Sequence, residues 1–195
     1  MHLLTGPAGS GKTFAILEQL RAALRRKDSG ARLIVPTATM AQHLRNELAR
    51  EGFIFSPSLI QTIHRYIEPW VADMPEAPDA LFHLLVEKTV RRLDLPAFRK
   101  VAQLAGFQAR LAAVIEECAA AGCNARSLGD HLPPDGSGRE MARVFDEVSQ
   151  ALAQQKLGLR SARLSLAAAR IAEAGTATVK TIWLDGFFSL TDPEL

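Results

Sequence analysis

The sequence predicts an α/β fold, a parallel sheet with helices on both faces, interrupted by an all-helical insertion. Three observations predict it. About the first 65 residues alternate apolar runs and amphipathic stretches in the order β-α-β-α-β, the pattern of a parallel sheet with crossover helices. Pro69, Pro75 and Pro78 then open a long stretch rich in alanine, leucine and arginine that runs to about Ala174. Finally, an apolar run returns at Thr178 to Leu184, with Asp185 at its tip. The expected division assigns residues 1–67 and 176–195 to the sheet domain and 68–175 to the insertion.

The elements follow in order. Met1 to Thr5 is short and partly apolar and leads, as a strand, into a glycine-rich turn. Thr13 to Arg26 reads as a helix, because Ile16, Leu17, Leu20, Ala23 and Leu24 fall on one helical face. Arg25, Arg26 and Lys27 at its end, with Gly30 beyond, are ordinary stop signals. Arg32 to Val35 reads as a buried strand ended by Pro36. Thr39 is positioned to cap a helix from Met40 to Arg50. Leu59 to Ile63 is the third strand, entered through Ser56-Pro57-Ser58. In the insertion, helices are expected at Ala80 to Leu93, Ala97 to Ala121, Arg139 to Leu157 and Ser161 to Ala174. Leu128 to Gly138, with Pro133, Pro134 and three glycines, is the expected break between them.

Bulk composition sets limits. The 195 residues are 48% hydrophobic and 23% charged, enough for one domain with an insertion and too apolar for bulk disorder. A net charge of +2 permits a polyanionic partner without arguing for one. No apolar run reaches the roughly 18 residues of a membrane span, and no signal peptide precedes the motif at Gly6, so a soluble, cytoplasmic chain with no membrane partner is expected. Cys118 and Cys123 lack the spacing of short metal or redox pairs and read as small packing residues. Arg91, Arg92, Arg99 and Lys100 read as solvated helix faces.

The residues that carry chemistry begin with Gly6-Pro7-Ala8-Gly9-Ser10-Gly11-Lys12-Thr13, a full G-x-x-x-x-G-K-[ST] phosphate loop. Its glycines let several backbone N–H groups point at one anion, and the helix that follows adds its positive end. Lys12 reaches the β- and γ-phosphates of a nucleoside triphosphate, ATP by expectation, and the Thr13 hydroxyl ligates magnesium. Asp185 is the candidate acid at a strand end that holds Mg2+ through water. The next residue is Gly186, where many P-loop hydrolases carry a water-activating glutamate. Glycine moves no proton, and Asp192 and Glu194 lie farther along the chain. Two other readings stay open: a small-molecule P-loop kinase, against which the lack of arginine in residues 128–138 counts, and a structural P-loop domain without turnover.

Four pieces follow one another in order: the phosphate loop; Val35-Pro36-Thr37-Ala38-Thr39-Met40-Ala41; Thr62-Ile63-His64; and Asp185-Gly186-Phe187 leading to Thr191. This order resembles the N-terminal third of a UvrD/Rep-type superfamily 1 helicase, with its RecA-like P-loop NTPase domain 1A and helical subdomain 1B. The D-G-F-x-x-x-T pattern and the short lead before the loop are similar to the B subunit of the bacterial AddAB helicase–nuclease. The resemblance implies that Lys12 and Thr13 hold phosphate and Mg2+, and that Asp185 holds Mg2+. It also implies that Pro36, Thr37, Thr62 and His64 line a single-stranded DNA path, with sequence-independent contacts to phosphates. The implied role is an ATP-binding, DNA-contacting domain in double-strand break repair and recombination, with weak hydrolysis and no certain catalytic residue. The implied partners are single-stranded DNA, an AddA-like subunit, and C-terminal helicase and nuclease domains. Those domains do not fit in the present length, so the chain is expected to be the N-terminal part of a longer protein.

Overall fold

The computed structural model describes residues 2–7, 9–132, 136–175 and 179–190. It is an α/β structure with a small three-stranded parallel sheet and many helices. The chain divides into two compact units, Met1–Trp70 with Arg170–Leu190, and Val71–Ala169.

In the first unit, α1 spans Lys12–Arg25, β1 Ala31–Ile34, α2 Ala38–Arg50, β2 Ile60–Gln61, α3 Ile63–Ile67 and β3 Thr181–Leu184. The sheet order is β2-β1-β3, and both pairings are parallel. Leu20, Leu33, Leu48 and Ile60 are fully buried in one apolar cluster shared by α1, α2 and the sheet. Each such side chain stabilises the unit by about 1.5–3 kcal/mol. The apolar face read from the sequence is the buried face of α1, where Ile16, Leu17, Leu20 and Ala23 are all buried.

Four local expectations are corrected. Residues 2–7 hold no strand; Leu3 is 79% exposed and Leu4 49%. A strand needs a partner ladder, and apolar character alone does not supply one. The left-handed residue after α1 is Lys27, at φ 55°, while Gly30 belongs to the turn into β1 and its N–H donates to Asp28 Oδ1. The cap of α2 is Thr37, not Thr39: its Oγ1 accepts from the Met40 N–H at 3.1 Å. The expected Leu59–Ile63 strand shrinks to two residues, because Pro57–Leu59 forms a 3-10 turn and Thr62 starts α3.

Arg21 ties α1 to α2. Only 8% exposed, it donates to Glu51 at 2.7 Å, to Glu47 at 3.0 Å and to Glu18 at 3.0 Å. The hydrogen bond from Arg21 holds the Glu51 carboxyl below the usual carboxylate range, against its partial desolvation, and the nearby charge of Arg25 adds to this. A depressed folded-state pKa means stability that is present above the unfolded glutamate value of about 4.3 and lost as pH falls through the folded value. Glu51→Gln is therefore expected to be less stable than the parent at neutral pH and to converge with it in acid. Denaturant midpoints measured across that range check this; a gap that stays constant with pH would refute it.

In the second unit, α4 spans Asp79–Arg92, α5 Ala105–Ala120, α6 Ala125–His131 and α7 Gly136–Gln154; α8, Arg160–Ala174, belongs to this unit as far as Ala169. Phe82, Val86, Ala112, Ile115, Val144, Val148 and Leu152 form its core. Two expectations change here. The helix expected from Ala97 begins only at Ala105, because residues 96–103 are held in turns: the Ala97 N–H donates to the Glu140 carboxylate, and Phe98 packs on Phe107 at 5.0 Å between ring centres. The expected break at Leu128 to Gly138 is narrower, since α6 and α7 occupy both of its ends; Pro133 and Pro134 lie outside the described residues. Cys118 and Cys123 are free and partly buried, and burial pushes the Cys118 thiol above its ordinary value. Arg91, Arg92 and Arg99 pair on the surface with Glu87, Glu147 and Asp94. Among the described residues no helix is long and apolar enough to cross a membrane.

Candidate functional site

The phosphate loop leads directly into α1. Gly11 is the N-cap at φ 82°, a left-handed conformation that suits glycine, and no side chain caps the helix. No acidic residue sits in the first turn. The N-terminus of α1 thus keeps its positive end and its leading N–H groups without a side-chain acceptor. A Cβ at Gly6 would lie 2.6 Å from Ser10 Oγ, so the hydroxyl would have to turn away. The Ser10 N–H donates to the Pro7 carbonyl at 3.3 Å and closes the turn. Ala8 lies outside the described residues. The Lys12 ammonium folds back over the loop, donating to the carbonyls of Gly6 at 2.7 Å and Pro7 at 2.8 Å and to Ser10 Oγ at 3.3 Å.

The other candidates converge through strand register. Ile34 of β1 is level with Gln61 of β2 and with Leu184 of β3. The next residue on each strand, Val35, Thr62 and Asp185, therefore stands at the carboxyl end of the parallel sheet. Ladder bonds continue there: the Val35 N–H donates to the Gln61 carbonyl at 3.0 Å, and the Asp185 N–H to the Ile34 carbonyl at 3.1 Å. Three distant parts of the sequence thus meet along one sheet edge, the place where open α/β sheets bind ligands. β3 is also tied to α1, because Trp183 Nε1 donates to Gln19 Oε1 at 2.9 Å.

Asp185 is 8% exposed, and among the described residues its Oδ2 has no hydrogen-bond partner. A buried carboxylate oxygen left unmatched costs about 1–3 kcal/mol or more. Among the described residues no group of three or more His, Cys, Asp or Glu side chains gathers to hold a metal. Magnesium does not require one: it takes one or two protein oxygens together with substrate phosphates and water. Asp185 and Thr13, the second residue of α1, each carry an oxygen of that kind.

The proposed DNA-path residues also have local roles. Thr37 caps α2, and Thr62 caps α3 by accepting from the Arg65 N–H at 3.4 Å. His64 lies exposed on α3, with Nε2 3.7 Å from Glu68 Oε2. Pro36 is exposed where β1 ends. Thr37→Ala removes a cap and is expected to cost about 1 kcal/mol, whereas Thr37→Ser keeps it; a urea midpoint unchanged in Thr37→Ala would refute the capping role. Asp192 and Glu194, and the threonine of the D-G-F-x-x-x-T pattern, Thr191, lie outside the described residues.

Sequence reading missed one contact. Gly186 adopts φ 80° beside Met40 and Pro36; a Cβ there would lie 3.0 Å from Met40 Sδ and 3.4 Å from Pro36 Cδ. Nothing in the residue order signals it, because it depends on β1 and β3 being neighbours. No protein-family model and no curated protein sequence matches the chain.

Proposed function

We propose that this chain binds ATP with magnesium, as the RecA-like P-loop NTPase domain and helical insertion of an AddB-type helicase–nuclease subunit. The observation that carries the reading is the uncapped N-terminus of α1, with Lys12 folded over the loop that precedes it. In this reading the loop N–H groups, Lys12 and Thr13 hold the phosphates. Magnesium, when bound, would neutralise phosphate charge, and Thr13 and Asp185 are the residues that would hold it. Asp185 would contribute the oxygen that has no partner among the described residues. Gly186 offers no proton acceptor, so hydrolysis is slow.

Single-stranded DNA is the proposed second ligand, along Pro36, Thr37, Thr62 and His64. The hydroxyls of Thr37 and Thr62 accept from backbone N–H groups as caps and retain their own O–H for donation to phosphate oxygen. Such binding falls with salt. An AddA-like subunit and further helicase and nuclease domains complete the proposed assembly in recombination and repair.

Titration with a fluorescent ATP analogue tests the central claim. Saturable, magnesium-dependent binding supports it; no binding at millimolar nucleotide would sink it. Fluorescence anisotropy of labelled single-stranded DNA tests the second ligand, and affinity that is unchanged between low and high salt would refute a phosphate path.

A further inference from the structure

The contact between Met40 and Gly186 bears on why the site lacks a base. Gly186 follows the buried Asp185 directly, where the chain leaves β3. Its φ of 80° is costly for any residue with a Cβ. Independently, a Cβ there would crowd the end of the Met40 side chain, with Sδ at 3.0 Å and Cε at 3.1 Å, and Pro36 Cδ at 3.4 Å, so that the thioether must give by a few tenths of an ångström. Met40 is partly buried and packs on the apolar cluster of the first unit, and its N–H is fixed by the Thr37 cap. The backbone at this position is therefore anchored, leaving only the flexible side chain to yield.

We infer that Met40 keeps the position after Asp185 free of a side chain, so that the site holds nucleotide and magnesium but excludes a water-activating carboxylate from that position. The inference rests on the nucleotide reading of Asp185. It identifies Met40 as a positioning residue acting through Gly186, with no contact of its own to the reacting atoms. It also means that inserting glutamate at 186 does not by itself supply a base. The left-handed backbone and the thioether together turn or displace the new side chain.

A double-mutant cycle in the full chain separates the two causes of the glycine requirement. Gly186→Ala is expected to lower Tm on the order of 10 °C in the presence of Met40. In a Met40→Ala background the same substitution is expected to lower it by several degrees less, since the steric part is gone and the backbone part remains. Gly186→Glu is then assayed for ATP hydrolysis and is expected to match the parent rate. A well-placed base contributes roughly 100-fold or more, so a rise of that size, whatever the Tm, would overturn the functional half of the inference. Strictly additive Tm shifts, with ATP-analogue binding intact, overturn the Met40 pairing alone. No analogue binding by the unmodified chain overturns the nucleotide reading and the functional half of the inference, while the cycle still decides the packing.

Discussion

Lys12→Ala is expected to weaken magnesium–ATP binding roughly 100-fold, the equivalent of about 3 kcal/mol for a lost hydrogen bond between charged groups. In the free chain all three ammonium donors are used, on the Gly6 and Pro7 carbonyls and on Ser10 Oγ. These acceptors are neutral and the contacts exposed, so removing them should change Tm little. A triphosphate offers anionic oxygens instead, and charge-assisted bonds are about twice as strong. Lysine therefore gains by exchanging loop carbonyls for phosphate, and alanine cannot. Lys12→Arg should rescue poorly, because a planar fork does not replace a compact point charge in a loop built around one. Analogue titration beside a thermal melt measures both effects. Equal affinity in Lys12→Ala would sink the phosphate role; a large loss of Tm would show that the lysine serves chiefly to hold the loop.

The parts of the fold legible in the sequence are those governed by local pattern. The face of α1 that carries Leu20 and the apolar run of β1 are short-range signals, and both stand where the pattern puts them. The misread parts depend on partners far along the chain. Residues 96–103 have helix-forming composition, yet Glu140 and Phe107 hold them in turns. Leu3 and Leu4 look like strand residues and pair with no strand. Capping lies between these cases. Thr37 and Thr39 both satisfy the rule for a helix start, and only the backbone reveals that Ala38 and Thr39 already lie inside α2.

The candidate site divides in the same way. The phosphate loop is contiguous, so its residues could be named from the sequence alone. That Thr62 and Asp185 stand level with the end of β1 is a matter of register, and register is set by pairing, not by composition. The packing of Met40 on Gly186 is one step further removed, because it requires both the register and the start of α2. A missing glutamate after Asp185 is visible as an absence in the sequence; the thioether that crowds its place is visible only in the structure.

Asp185→Asn is expected to stabilise the free chain while removing the magnesium dependence of nucleotide binding. The substitution keeps the shape of the side chain and removes a charge whose Oδ2 lies buried without a partner. A neutral polar atom without a partner costs less than a charged one, so a gain of about 1 kcal/mol is expected, and Tm should rise by roughly 2–4 °C for a chain of 195 residues. The same change removes the acceptor for the metal's water shell. Nucleotide affinity should then be nearly the same with magnesium as with a chelator present, where the parent shows a clear difference. The two effects have opposite signs, and this separates a ligand-holding residue from a structural one. A structural aspartate with a hidden partner would lose Tm on conversion to asparagine and leave the magnesium response intact.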